Sequence, residues 1–254
     1  MSLTAEQLSV GHDSRIVVSA VDLALSSGEA VAILGPNGGG KTTLLKTLLG
    51  FLRPRAGRVM VDDVELDRLD DRTRARSIAY VPQHHTGVFA FSVLEVVLMG
   101  RSAHAGVFSA PSAADRKIAL AMLERLGIAT LAERPYTMIS GGERQLALVA
   151  RALAQQPRYI ILDEPTASLD FGNQGKVMQQ IRALAAEGLG VLFTTHDPNQ
   201  ALRYADRVAL IGQGRMLATG AASAVLTERA LRDLYQSEVK LVRGAGETVA
   251  FLPG

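Results

Sequence analysis

The chain has 254 residues, and its 27 basic and 25 acidic side chains leave a net charge of +2, so no large single-sign field is available to hold nucleic acid by charge alone. A hydrophobic share of 48% excludes the disordered class, and the absence of cysteine excludes a disulfide framework, thiolate zinc sites and a cysteine nucleophile. Residues 1–10 lack a basic-then-apolar leader pattern, and no run of about 18 apolar residues offers a membrane span, so the expectation is a soluble protein of a reducing compartment.

In chain order, two β-rich stretches come first, residues 4–10 and 15–25, with a turn expected over 11–14. The wholly apolar run Ala30-Val31-Ala32-Ile33-Leu34 suits a strand buried on both faces, as in a parallel sheet. A glycine-rich loop follows, then a helix from Lys41 to about Gly50. Acidic residues between 62 and 71 alternate with Arg68, Arg72, Arg74 and Arg76, which reads as solvated surface. From about Ser92 to Gln155 the pattern turns helical, with one stripe on Ala119, Met122, Leu123 and Leu126 and another on Leu146, Val149, Ala150 and Leu153. Two more buried runs, Tyr159-Ile160-Ile161-Leu162 and Gly190-Val191-Leu192-Phe193-Thr194-Thr195, end in Asp163-Glu164-Pro165 and His196-Asp197-Pro198. Between them Val177, Ile181 and Leu184 have helical spacing. From Asp206 onward short strands and helices return, with turns at Gly212-Gln213-Gly214 and at 244–246. The fold class is therefore α/β, a parallel-sheet core with a helical insertion. Its polar residues gather at strand C-terminal ends, where open α/β sheets bind ligands.

Gly35-Pro36-Asn37-Gly38-Gly39-Gly40-Lys41-Thr42 satisfies G-x-x-x-x-G-K-[ST] without a mismatch, after a buried strand and at the start of a helix. Small residues let backbone N–H groups close around phosphate oxygens, and the helix adds its free N-terminal donors and positive dipole end. Lys41 is expected to reach the β- and γ-phosphates of a bound nucleotide. Thr42 is expected to ligate Mg²⁺, and Thr43 to touch the α-phosphate. Asp163, 122 residues after Lys41, is expected to hold Mg²⁺, and Glu164 to act as general base on an attacking water.

Ile139-Ser140-Gly141-Gly142-Glu143-Arg144-Gln145 separates this chain from other phosphate-loop proteins. Ser140 and Glu143 have capping-box spacing, but a mere helix start does not account for two glycines that each weaken a helix by about 1 kcal/mol. The motif resembles the signature of ATP-binding cassette (ABC) ATPases, with Ile139 and Glu143 in place of the commoner Leu and Gln, and Ser140 stands 20 residues before Ile160, as that family requires. The resemblance runs over nearly the whole chain. Tyr80-Val81-Pro82-Gln83 is similar to the family's Q-loop, Ser168-Leu169-Asp170 to its D-loop, and His196 to its switch histidine. Where many members carry an adenine-stacking tyrosine, this chain has His12, an imidazole of smaller stacking area.

The resemblance implies one ABC ATPase domain. Residues 1–82 and 156–254 would form a RecA-like P-loop core with an antiparallel β subdomain and a C-terminal extension, and 83–155 the helical subdomain with the signature. It implies a homodimer that sandwiches two Mg-ATP. One copy contributes Gly35, Pro36, Asn37, Gly38, Gly39, Gly40, Lys41, Thr42, Thr43, Gln83, Asp163, Glu164, His196 and His12, with Gln83 sensing Mg²⁺. The other contributes Ser140, Gly141, Gly142, Glu143 and the D-loop residue Asp170. A single cassette without coiled-coil or zinc insertion implies a subunit docked on integral-membrane permeases, peripheral at the cytoplasmic face of the plasma membrane. A periplasmic or surface substrate-binding protein would be an indirect partner. Val88, Phe89, Phe91 and Val93 fit either the docking surface or the helical subdomain's own core. Val97-Leu98-Met99-Gly100-Arg101, Gly106-Val107-Phe108, the stretch from Leu169 to Gln174 and Thr194-Thr195-His196-Asp197-Pro198 resemble importers of iron–siderophores, haem and cobalamin, and also a molybdate or tungstate subgroup. The competing classes are a soluble nucleic-acid or repair ATPase and a small-molecule kinase, and the latter leaves Ser140-Gly141-Gly142 without a purpose. His84, His85 and His104 show no metal-ligand spacing.

Overall fold

The computed structural model describes residues 1–12, 15–83, 91–104, 110–244 and 249–254. The chain opens with strands β1 (Ser2–His12), β2 (Arg15–Ser26) and β3 (Ala30–Leu34) and helix α1 (Lys41–Leu48). Strands β4 (Ala56–Val61) and β5 (Val64–Glu65) and helix α2 (Asp71–Ser77) lead to β6 (Ile78–Val81). Helices α3 (Val93–Leu98), α4 (Ala113–Arg125) and α5 (Gly141–Ala154) follow. The chain returns through β7 (Tyr159–Leu162), α6 (Phe171–Ala186), β8 (Gly190–Thr195), α7 (Pro198–Tyr204), β9 (Arg207–Gly212) and β10 (Arg215–Ala221). It closes with α8 (Ala222–Val225), α9 (Glu228–Tyr235) and a separate hairpin of β11 (Val239–Arg243) and β12 (Val249–Pro253).

Among the described residues, ten strands form one sheet in the order β5-β4-β1-β2-β10-β9-β3-β8-β7-β6. Strands β9, β3, β8, β7 and β6 run parallel, whereas β5, β4, β1 and β2 are antiparallel neighbours. The two regions meet at one ladder pair, Arg215 opposite Ser19. The apolar runs form β3, β7 and β8 at the expected bounds, and every residue in them is buried. Alternation decides which side each residue serves. Ala30, Ala32 and Leu34 join the core that includes α5 and α6, while Val31 and Ile33 join the core that includes α1, β1 and β2. Each fully buried Leu or Val contributes about 1.5–3 kcal/mol, so double coverage stabilises this short parallel region strongly.

The register of these strands creates the site. Leu34 pairs with Thr195 and Leu162 with Phe193, so β3, β7 and β8 end side by side. The glycine-rich loop, Asp163-Glu164 and His196 follow those ends directly.

The helical segment has the expected stripes, with Ala119, Leu123, Leu126, Val149, Ala150 and Leu153 buried and Met122 and Leu146 half-buried. Each of its three helices opens on a capping box: Ser92 with Glu95, Ser112 with Asp115, and Ser140 with Glu143. Val93 is fully buried and belongs to the core, whereas Phe91 is half-exposed beside it. Val88, Phe89, His84, His85, residues 106–108 and most of the turn expected at 244–246 lie outside the described residues. Gly11 and His12, expected in a turn, instead pair with Ile16 and Arg15, and residues 13–14 lie outside the described residues.

The charged stretch of 62–71 departs from a solvated surface at Asp62. Its carboxylate accepts from the Ser2 amide at 2.9 Å and the Tyr159 hydroxyl at 2.7 Å, and it pairs with Arg158. Leu66 nearby is buried. Among the described residues, no helix is long and apolar enough to cross a membrane.

Candidate functional site

The loop from β3 to α1 has its geometry because of its last residue. Gly40 has φ of 93°, and a Cβ there would lie 2.5 Å from Val18 Cγ2 and 2.8 Å from Val17 Cγ1. Helix α1 starts from this glycine with no side-chain cap and no acidic residue in its first turn. Its N-terminal N–H groups are thus left for an anion. Val17, Asn37, Gly38, Gly39, Gly40, Lys41, Thr42, Thr43, Gln83 and Glu164 line a cleft of about 320 Å³.

Lys41 is 5% exposed, and its Nζ donates to the carbonyls of Gly35 at 2.8 Å and Pro36 at 3.1 Å. The same Nζ pairs with Glu164 Oε1 at 3.2 Å. The other oxygen of Glu164 accepts from Gln83 Nε2 at 3.4 Å and lies 3.2 Å from His196 Nδ1. Glu164 is therefore the hub to which the phosphate loop, the Q-loop glutamine and the loop after β8 all attach. Its backbone is strained for a residue with a side chain, with φ of 43°.

Asp163 is 2% exposed and accepts from the Thr194 hydroxyl at 2.7 Å. His12 Nε2 lies 3.3 Å from the Thr43 hydroxyl, so this histidine stands at the rim of the phosphate loop. His104 bonds to the Gln155 carbonyl at 2.8 Å and has a structural role.

A second group forms around the N-termini of α5 and α6. Ser140 Oγ accepts from the Glu143 amide at 3.3 Å, and Glu143 Oε2 accepts from the Ser140 amide at 2.7 Å. The Ser140 backbone N–H first, and the Ser140 side chain after it, hold the Glu143 carboxyl below its usual range. Asp170 caps α6 by accepting from the Asn173 amide at 3.0 Å, and its carboxyl is likewise depressed, chiefly by that N–H. Gly142 is buried, and a Cβ on it would meet Asn173 Cγ at 2.9 Å. Close packing between α5 and α6 thus asks for this glycine, in addition to any ligand. Gly141 is different, because its Cβ would find only ordinary contact, 3.5 Å from Leu169 Cδ2. Ser140, Gly141, Gly142, Glu143 and Asp170 line no part of the phosphate cleft.

The expected residues therefore fall into two sets on one chain. Lys41, Thr42, Thr43, Gln83 and Glu164 line the cleft with the loop residues, His196 and His12 bond to Glu164 and Thr43, and Asp163 lies behind at the strand end, bonded to Thr194. The signature and D-loop residues stand apart from them. Three side chains escaped sequence reasoning. Val17 lines the cleft from an ordinary β-run. Thr194 holds the Asp163-Glu164 pair. Tyr235 donates to the His196 carbonyl at 2.7 Å from a helix 39 residues onward, and burial raises its phenol well above the usual range. No local pattern signals such long-range partners.

A family profile described as ABC transporter matches residues 18–167. The hemin import ATP-binding protein HmuV of Gloeobacter violaceus is 43% identical over 232 residues, 89% of this chain and 84% of that protein. The molybdate import ATP-binding protein MolC of Haemophilus influenzae is 40% identical over 212 residues, 83% of this chain and 78% of that protein. Among solved structures, an inward-facing transporter described as of the metal-chelate type is similar with a TM-score of 0.89 and 35% identity, covering 100% of this chain and 97% of that one. A dimeric bacterial ABC transporter cassette matches with a TM-score of 0.74 and 30% identity, over 87% of this chain and 98% of its own. With its phosphate loop, strand-end acidic pair and signature helix in this fold, the chain belongs to the ABC transporter family as an ATP-binding domain that hydrolyses ATP.

Proposed function

We propose that the protein is the ATP-hydrolysing subunit of a membrane importer, and that its cargo is an iron chelate such as hemin. The observation that carries the catalytic part is the convergence of Lys41, Gln83 and His196 on the two oxygens of Glu164. The cargo rests on the hemin-import relative and the metal-chelate type neighbour.

The backbone amides of residues 37–42 cradle the phosphates of ATP. Lys41 exchanges Glu164 and the loop carbonyls for β- and γ-phosphate oxygens, which frees Glu164 Oε1. Glu164 then accepts a proton from the water that attacks the γ-phosphorus, as the bond from that phosphorus to the β–γ bridging oxygen breaks and ADP leaves with phosphate as the other product. His196, next to the other carboxylate oxygen, contacts the γ-phosphate and orients the base. Thr43 touches the α-phosphate, and His12 stacks on adenine. Charge stabilisation and alignment supply most of the acceleration.

The donors fit Mg²⁺. The Thr42 hydroxyl, the Gln83 amide oxygen and the Asp163 carboxylate are hard oxygens, few in number, as suits an ion that keeps waters and phosphate ligands. Held by these residues, Mg²⁺ would supply neutralisation of phosphate charge.

The separation of the two sets within one chain supports a second copy as the source of Ser140, Gly141, Gly142, Glu143 and Asp170 at each ATP. Closure of that dimer moves a docked permease, and hydrolysis resets it. The apolar groove of about 280 Å³ lined by Phe91, Leu98, Met99 and Pro111 fits the docking surface. The subunit works peripherally at the cytoplasmic face of the plasma membrane, with the substrate-binding protein reached only through the permease.

Co-purification with permease subunits, followed by ATP-driven uptake of hemin, ferric siderophore, cobalamin and molybdate into vesicles, tests this reading. Uptake of an iron chelate is the expected result. Uptake of molybdate alone would favour the second reading, supported by the molybdate-import relative. DNA-stimulated hydrolysis without a membrane partner would contradict both.

A further inference from the structure

We propose that Thr194 is a positioning residue that aims Asp163 and Glu164 as one unit. It is the penultimate residue of β8 and is completely buried. Its hydroxyl has one hydrogen to donate and two lone pairs to accept with. The hydrogen goes to Asp163 Oδ1 at 2.7 Å, and a lone pair takes the N–H of Glu164 at 2.8 Å. One hydroxyl thus touches both members of the acidic pair, on its side chain in one case and its backbone in the other.

Three observations argue against a packing role alone. Valine has the same shape, favours strands equally and fills a buried position without desolvating a hydroxyl. The preceding β8 positions Val191, Leu192 and Phe193 are apolar, as the doubly covered strand demands, and buried polar side chains enter only at its last two positions, Thr194 and Thr195. Finally, the bond to Glu164 falls where the backbone is strained, at φ of 43°. A left-handed residue with a side chain persists only when its surroundings over-determine it. The Thr194 hydroxyl is one such restraint. This turn sends the Glu164 side chain toward Lys41, Gln83 and His196, while Asp163 stays behind at the strand end.

The inference rests on Glu164 being the general base, so its test includes a control for that assignment. Thr194→Val removes both bonds at constant shape, and Thr194→Ser keeps the oxygen. The readouts are steady-state kcat and KM for ATP, equilibrium binding of a fluorescent ATP analogue, and the melting temperature. Thr194→Val is expected to lower kcat by about tenfold to a hundredfold, as small misplacements of reacting groups do. KM and analogue affinity should stay within about twofold, because uniform binding is untouched. Thr194→Ser should recover most of kcat. Unchanged kcat in Thr194→Val, or an equal loss in Thr194→Ser, would overturn the inference. Thr194→Ala serves if the valine variant does not fold. Failure of both to fold, with Thr194→Ser folding, would assign the hydroxyl to stability and also overturn it. Glu164→Gln separates the two levels. If it is inactive while Thr194→Val is fully active, only the positioning role fails. If Glu164→Gln itself turns over normally, the reading of the base fails.

Discussion

Lys41 and Glu164 neutralise one another across the phosphate cleft, and both are nearly buried. On the proposed reading, a phosphate takes Lys41 before Glu164 is free to accept a proton. Glu164→Gln should therefore lower turnover by at least about a hundredfold, the scale of general-base catalysis. ATP affinity should be kept or increase, because Lys41 no longer has a carboxylate competing for it. Kinetic and equilibrium assays on the same preparation check both halves. At this scale the sequence was legible where chemistry is local. The phosphate loop announces itself because glycines and Lys41 must be contiguous to surround phosphates. Thr194 does not, because its partners lie 30 and 31 residues away, just past the end of a neighbouring strand. Asp62 misled for the same reason. Its charged neighbours suggest solvent, but its hydroxyl partner Tyr159 is 97 residues onward.

Helix termini are the next level at which residues act. The Ser140–Glu143 capping box satisfies the start of α5, and Ser140 is exposed there. Ser140→Ala should cost about 1 kcal/mol of stability through the lost cap. Its larger effect should be on hydrolysis by the dimer, with nucleotide binding by the monomer unchanged. Equal losses in both would reduce Ser140 to a cap. Helix α4 carries a pH-dependent brace. Asp115, at its N3 position, accepts from the buried Arg101 guanidinium at 2.8 Å. That bond first, and the Ser112 hydroxyl and amide after it, hold the Asp115 carboxyl well below the usual carboxylate range. A carboxyl depressed on folding adds stability above its unfolded value and loses it as the pH falls toward the native one. Asp115→Asn should therefore lower the melting temperature at pH 7, and the gap to the natural protein should narrow below about pH 4. A gap constant with pH would contradict the brace. Helix α7 is tied to the terminal hairpin by Asn199, whose side chain donates to the Phe251 carbonyl at 3.0 Å and accepts from its amide at 2.7 Å. Asn199→Ala should weaken this tie and raise hydrogen exchange at Phe251 before the core sheet opens. The parallel strands and capped helices were legible because apolar runs and capping spacing are short-range signals. The Asn199 tie was not, since backbone partners leave no mark on composition.

Across the whole molecule, the register of β3, β8 and β7 delivers three sequence-distant loops to one edge of the sheet. The α5 and α6 N-termini, packed together through Gly142 and Asn173, form a separate surface. The proposed reading takes the residues around the phosphate cleft and those of the signature as halves of two different sites, so the proposed working form is a pair. The most direct test of the paired site is sedimentation velocity of Glu164→Gln with Mg-ATP, with Mg-ADP and without nucleotide. A dimer with ATP, and a monomer in the other two conditions, is the predicted result. A monomer under saturating ATP, or a dimer of equal strength without nucleotide, would contradict a site shared between two copies.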